Sequence, residues 1–305
     1  MALYAFDGTW NKERTAGEYG RNTNVVLFRD AYLGNKKFYQ KGVGTKLGFL
    51  GKLFGGAFGA GGHGRIADAY KELCACWLAG DTEIDIVGFS RGAALALAFT
   101  NHVVSKGIRD PKGSKVIAKP AIRFLGLWDV VGSFGIPIDL GPVEFQHINL
   151  GYKLTLPNEI RYAFHAMALD ERRQTFRVTR VTNAVEVWFR GCHSDVGGGN
   201  QNRGLSDIAL RWMLRKASAS GLPISAKSIA ATESVANPAT PIRIGGFDVY
   251  KNPFREIRQG DRFHYTVTFR QDCNNVLDNS GMPVRGCRCE SAADELGPNA
   301  IGVTA

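Results

Sequence analysis

Gly88, Ser90 and Gly92 form the pattern Gly-x-Ser-x-Gly, the arrangement that presents a serine hydroxyl for attack on an acyl carbonyl. Five residues alone would fit any glycine turn, so the flanks matter. An apolar run begins at Ile84 and leads into the pattern, and an Ala/Leu-rich helical stretch, residues 93–99, follows it. A serine between strand and helix sits on a very tight turn that projects its hydroxyl outward. Positions two before and two after it then approach neighbouring backbone too closely for a Cβ. Gly88 and Gly92 meet that demand, and Ser90 is the candidate nucleophile.

A serine near neutral pH needs a base to take its proton and a carboxylate to orient that base. In hydrolases built on this turn the order along the chain is serine, acid, histidine. The chain has 6 histidines. His102 lies in the helix after the serine and His264 in a late alternating stretch. His63 falls in a glycine-rich segment, and His147 and His165 in or near a second irregular one. His193 instead follows an apolar strand and opens onto Ser194, Asp195 and the glycines at 197–199, a tight loop from which it can reach Ser90 across the carboxyl edge of a sheet. Asp129, at the end of a strand between the other two, is the expected acid. Asp195 competes, but a carboxylate two residues from the histidine more commonly bonds the amides of its own loop. The oxyanion that forms needs backbone donors. Arg91 N–H at the helix start is one, and Gly8 or Thr9 after the first strand supplies another, with Asp7 beside them lining the site. This chemistry calls for no cofactor and no metal.

Strands must carry these residues and helices must back them. Residues 3–6 read as a short apolar strand, 24–33 as a helix and 37–39 as a strand. Apolar residues at 66, 70, 73, 74 and 77 have helical spacing over 65–78, and Gly80 stops that helix before the serine strand. Residues 121–128 and 184–190 read as further strands and 206–217 as a helix. This alternation predicts an α/β fold, a mostly parallel sheet with helices on both faces and lid-like insertions. All 305 residues are expected to form one domain. Residues 42–64 hold ten glycines around large apolar residues, suiting a cover over an apolar cleft or a lipid-facing surface. Residues 132–157 form a second insertion, and 218–305 a less regular part ending in an unstructured tail.

A formal charge of +10 suits an anionic partner such as a phospholipid surface, and equally a plain basic protein. No basic run interleaved with aromatics appears, so nucleic acid is not the expected partner. The N-terminus lacks a basic region followed by an apolar stretch and cleavage site, and no window reaches membrane-spanning length. Synthesis as a cytoplasmic protein is the expectation. Cys74 and Cys76 read as small core residues, and Cys273, Cys287 and Cys289 as free thiols lacking the fourth ligand of a zinc site.

Six ordered motifs add to this reading. They are residues 6–11 around Asp7-Gly8-Thr9, 42–45, 88–93, 128–133 around Asp129, 168–173 and 188–199. Together they resemble the α/β-hydrolase family catalogued as domain of unknown function 2235, over residues 4 to about 216. That family includes phospholipase effectors of bacterial type VI secretion systems. The resemblance implies Ser90 as nucleophile, His193 as base, Asp129 as acid and a site lined by Asp7-Gly8-Thr9. It also implies acyl-ester cleavage in phospholipid, contact with a membrane surface, export by a type VI system, and a secretion-system component or immunity protein as partner. Three other readings stay open: a housekeeping carboxylesterase; a metal-dependent phosphoesterase using Asp7, Asp129, Asp195 and His193; and a catalytically idle module that binds lipid or a partner.

Overall fold

A computed structural model describes residues 1–8, 11, 13–14, 21–42, 58–132, 156–173, 176–242, 254–270 and 286–297, with 58–63 as backbone only. Ten strands are seen among them: β1 (Ala2–Phe6), β2 (Lys36–Gln40), β3 (Ile84–Phe89), β4 (Ile108–Arg109), β5 (Lys115–Ile117), β6 (Ile122–Trp128), β7 (Ile160–Ala168), β8 (Val185–Phe189), β9 (Arg262–Phe263) and β10 (Arg288–Cys289). The helices are α1 (Asn24–Ala31), α2 (Phe58–Leu78), α3 (Arg91–Lys106), α4 (His193–Gly197), α5 (Gly204–Ala219) and α6 (Ala226–Val235). β4 and β5 pair as a separate antiparallel hairpin. The other strands form one sheet in the order β10-β9-β8-β7-β6-β3-β1-β2, and every pairing in it is parallel.

Parallel strands need crossovers, and the helices supply them on both faces, so alternate strand residues pack against different helices. Tyr4, Phe6, Ile86 and Leu127 meet Leu73 of α2 and Phe99 of α3 on one face. Leu3, Ala5, Val87, Phe124 and Trp128 meet Phe28 of α1 and Trp212 of α5 on the other. The Tyr4 and Phe99 rings lie 5.4 Å apart, and those of Phe28 and Phe124 6.1 Å apart. Burying one such phenylalanine contributes about 1.5–3 kcal/mol. This two-sided burial explains why β1, β3 and β6 read as apolar runs.

From β1 the chain moves out to β2 at the edge, then returns through α2 to β3 on the other side of β1. The carboxyl ends of β1 and β3 therefore flank the point where strand order reverses, the crevice in which parallel sheets hold ligands. Register brings the chain exits together there: Phe6 pairs with Gly88, Phe89 with Trp128, and Ala168 with Phe189.

The structure adds to some expectations, and others fall outside the described residues. β7 runs for 9 residues through the middle of the sheet, where no strand is expected from sequence. Arg161 and His165 disguise it, but the His165 ring is internally satisfied, accepting from Val130 N–H at 3.1 Å and meeting Glu186 at 2.9 Å. α2 begins at Phe58, so the end of the glycine-rich stretch is already helix where the spacing predicts one only from 65; residues 43–57, the rest of the expected cover, lie outside the described residues. The second insertion, 132–157, lies almost wholly outside them as well. The part after 218 contributes α6, β9 and β10, while its tail from 298 is outside the described residues. Cys74 and Cys76 are buried free thiols, Cys289 is half-buried, and Cys273 lies outside the described residues.

Candidate active site

Ser90 is the residue between β3 and α3. Its backbone has φ 60° and ψ −128°, in the positive-φ half of conformational space that a residue with a Cβ enters only when its surroundings impose it. The two glycines make this possible. A Cβ on Gly88 would lie 2.7 Å from Ala93 Cα, and one on Gly92 2.4 Å from Phe6 O and 2.5 Å from Asp7 O. The turn is pinned from the next strand: Ser90 N–H donates to Trp128 O at 3.0 Å. Arg91 opens α3, so its N–H belongs to the first turn, whose amides lack partners within the helix.

His193 opens α4, directly after β8. Its Nε2 lies 2.8 Å from Ser90 Oγ and its Nδ1 2.6 Å from Asp129 Oδ2. An ionised carboxylate only accepts, so Nδ1 carries the proton and Nε2 accepts from the serine hydroxyl. The imidazole packs between Phe89 and Phe176, with ring centroids 4.6 and 4.7 Å away. Glu171 accepts the His193 N–H at 3.2 Å, and Asp170 accepts Gly191 N–H at 2.6 Å, so residues after β7 hold the histidine turn. Gly191, at φ 113°, makes that turn. Burial drives the basicity of His193 below its ordinary value, against the opposing pull of Asp129.

Asp129, the residue after β6, has φ 41° and is fully buried. Its Oδ1 accepts Ala168 N–H at 2.9 Å. Arg255 grips the same carboxylate with both ends of its fork, at 2.6 Å to Oδ1 and 3.0 Å to Oδ2. Burial alone would push the carboxyl up, but Arg255 and His193 outweigh it and hold Asp129 below the usual carboxylate range.

The other expected site residues take supporting positions. Asp7 accepts from Gly8 N–H at 2.8 Å, Thr23 Oγ1 at 2.9 Å and Tyr39 OH at 2.8 Å, and burial pushes its carboxyl up to about 6. The Gly8 amide is thus turned toward Asp7 in this state, although an added Gly8 Cβ would lie 3.1 Å from Ser90 Cβ. Thr9 lies outside the described residues. Asp195 accepts Cys192 N–H at 3.0 Å and Asn200 Nδ2 at 2.6 Å, bonding its own loop. Sequence reasoning missed Arg255, 126 residues from its partner, and gave no role to Asp170, Glu171 or Phe176. The only signal for Asp170 and Glu171 was their place in the ordered motif at 168–173.

A family model described as the catalytic domain of type VI secretion system Tle1-like phospholipase effectors matches residues 3–119 and 110–216. The chain belongs to this family. The Tle1-like match takes in Asp7, Ser90, Asp129, Glu171 and His193, and stops short of Arg255. Among solved structures the chain is similar to an uncharacterized protein from Pseudomonas aeruginosa, at 19% identity and TM-score 0.49, covering 77% of this chain and 48% of that one. It is also similar to the Tle1 effector in a structure of that effector bound to the VgrG spike of the type VI secretion system. There the identity is 24% and the TM-score 0.46, covering 67% of this chain and 51% of that one. The chain spans about half the length of both. No curated protein matches it.

Proposed function

We propose that this chain is a serine ester hydrolase that cleaves acyl esters of glycerophospholipids through Ser90, His193 and Asp129. The observation that carries the reading is the continuous line of hydrogen bonds from Ser90 Oγ to His193 at 2.8 Å and on to Asp129 at 2.6 Å. Membership in a family defined by phospholipase catalytic domains supports the substrate class. Ser90 Oγ attacks the acyl carbonyl while His193 Nε2 takes its proton. Asp129 keeps Nδ1 protonated and stabilises the imidazolium that forms. His193 then returns the proton to the leaving alcohol, and water repeats the sequence in reverse to release the fatty acid.

Arg91 N–H is the first oxyanion donor, a contribution of about 3–4 kcal/mol to the transition state. Gly8 becomes the second when the developing negative charge draws its N–H away from Asp7; Thr9 is the alternative. The metal-dependent reading has less support, because Asp7, Asp129 and Asp195 each spend their oxygens on N–H or O–H donors. No group of 3 or more His, Cys, Asp or Glu side chains suited to a metal occurs among the described residues.

Residues 1–305 act as one domain in this reading, since Arg255, β9 and β10 from the C-terminal part join the same sheet and site. The protein is delivered by a type VI system, with a secretion-system component as carrier, an immunity protein as its neutraliser and a membrane surface as its place of action. No helix among the described residues is long and apolar enough to cross a membrane. The test is mass spectrometry of lipids after incubation of phospholipid vesicles with purified protein. Fatty acid and lysophospholipid are expected from the wild type. Equal release by Ser90→Ala would remove the proposal.

A further inference from the structure

We propose that Arg255 is a positioning residue that aims the Asp129 carboxylate at His193, so that the site is completed by a segment beyond the stretch shared with the family. This rests on the hydrolase reading above. Four bonds leave the Arg255 fork. Two go to Asp129 Oδ1 and Oδ2 at 2.6 and 3.0 Å, one to Ala168 O at 2.6 Å and one to Phe176 O at 2.5 Å. The Arg255 side chain is 7% exposed and the Asp129 side chain not at all. Each carbonyl partner also serves the site. The Ala168 N–H donates to Asp129, and the Phe176 ring packs against His193. One guanidinium thus fixes the acid, the end of β7 and one wall of the imidazole slot.

The carboxylate needs that grip. Oδ1 receives Ala168 N–H and Arg255, and Oδ2 receives His193 and Arg255. Without Arg255 a fully buried anion would keep one neutral donor besides the histidine. It could then rotate about its final bond, and it would favour its protonated form. A planar fork matches a carboxylate at two points where lysine reaches one. The positive charge of Arg255 also works against protonation of His193. Arg255 lies outside residues 3–216, where the family match ends, so this chain draws the support for its acid from its own C-terminal part.

The full chain, with Arg255→Gln and Arg255→Lys, is assayed on a short acyl ester across pH 4.5–9 and by phosphonate labelling of Ser90. Arg255→Gln is expected to lower kcat about 100-fold with KM little changed, since misplacing a catalytic group by about 1 Å costs that much. The acid limb of its kcat/KM profile should move up by about one pH unit, as expected when a nearby charge is removed. Arg255→Lys, which keeps the charge, should hold the acid limb in place and recover part of kcat. A merely structural arginine would lower the amount of active protein and leave the limb where it is, and that result overturns the proposal. Should Arg255→Gln not fold, Arg255→Lys decides. A reduced labelling rate with the limb unmoved supports the proposal, and the wild-type rate throughout overturns it. A wild type that neither hydrolyses nor labels overturns the hydrolase reading itself, and this inference with it.

Discussion

Gly92→Ala tests how tightly the serine turn is built against the first strand. The added Cβ would stand 2.4 Å from Phe6 O, 2.5 Å from Asp7 O and 2.6 Å from Asp7 C, where ordinary contact begins at 3.4 Å. The shortfall is 1.0 Å, and the obstacles are backbone atoms at the end of β1, which have no rotamer to adopt. Either α3 or the β1 exit must shift by about that distance. Overpacking of this kind costs about 1–3 kcal/mol of stability. Catalysis should suffer more, because the shift separates Ser90 and the Arg91 amide from Gly8; a displacement of about 1 Å costs on the order of 100-fold in rate. The assay is kcat/KM on a soluble acyl ester beside thermal unfolding. A folded Gly92→Ala protein with wild-type kcat/KM would show that the β1 exit does not set the serine geometry.

Three further outcomes follow from the same structure. Asp129→Asn should lower kcat about 10⁴-fold by reversing the preferred imidazole tautomer, and it should cost about 3–5 kcal/mol by leaving the Arg255 charge uncompensated, read by denaturant unfolding. His193 and His264 are both held below their ordinary basicity, chiefly by burial. The unfolded chain therefore binds protons near pH 6.5 that the folded chain refuses, so their stabilising contribution is present above that pH and is lost as pH falls toward the folded values. Activity should persist through pH 6.5 and fail at lower pH, with unfolding free energy declining in the same direction; an acid limb above 6.5 would contradict the burial argument. Gly64→Ala, in α2 with nothing within 4 Å of the new Cβ, should raise stability by about 0.5–1 kcal/mol in a melting experiment.

The three residues of the hydrogen-bonded line were legible in sequence because each stands next to a strong pattern. Ser90 is framed by glycines that backbone approach requires, and Asp129 and His193 follow apolar strands whose ends must share one edge of a parallel sheet. β7 was not legible, because His165 looks like a loop or site residue until Val130 and Glu186 are seen to satisfy its ring. Arg255 was not legible either. Its partner lies 126 residues away, and a single arginine in a polar stretch has no periodicity to betray it. The Gly8 amide illustrates a third kind of limit. Sequence placed its loop beside Ser90, but only the folded chain reveals Asp7 holding that N–H.

Reaction with a fluorophosphonate, followed by peptide mapping, asks the central question directly. An adduct on Ser90 that forms rapidly in the wild type, and hundreds to thousands of times more slowly in His193→Ala, is the expected result. Wild-type protein that remains unlabelled at Ser90 while it hydrolyses acyl esters would contradict the account.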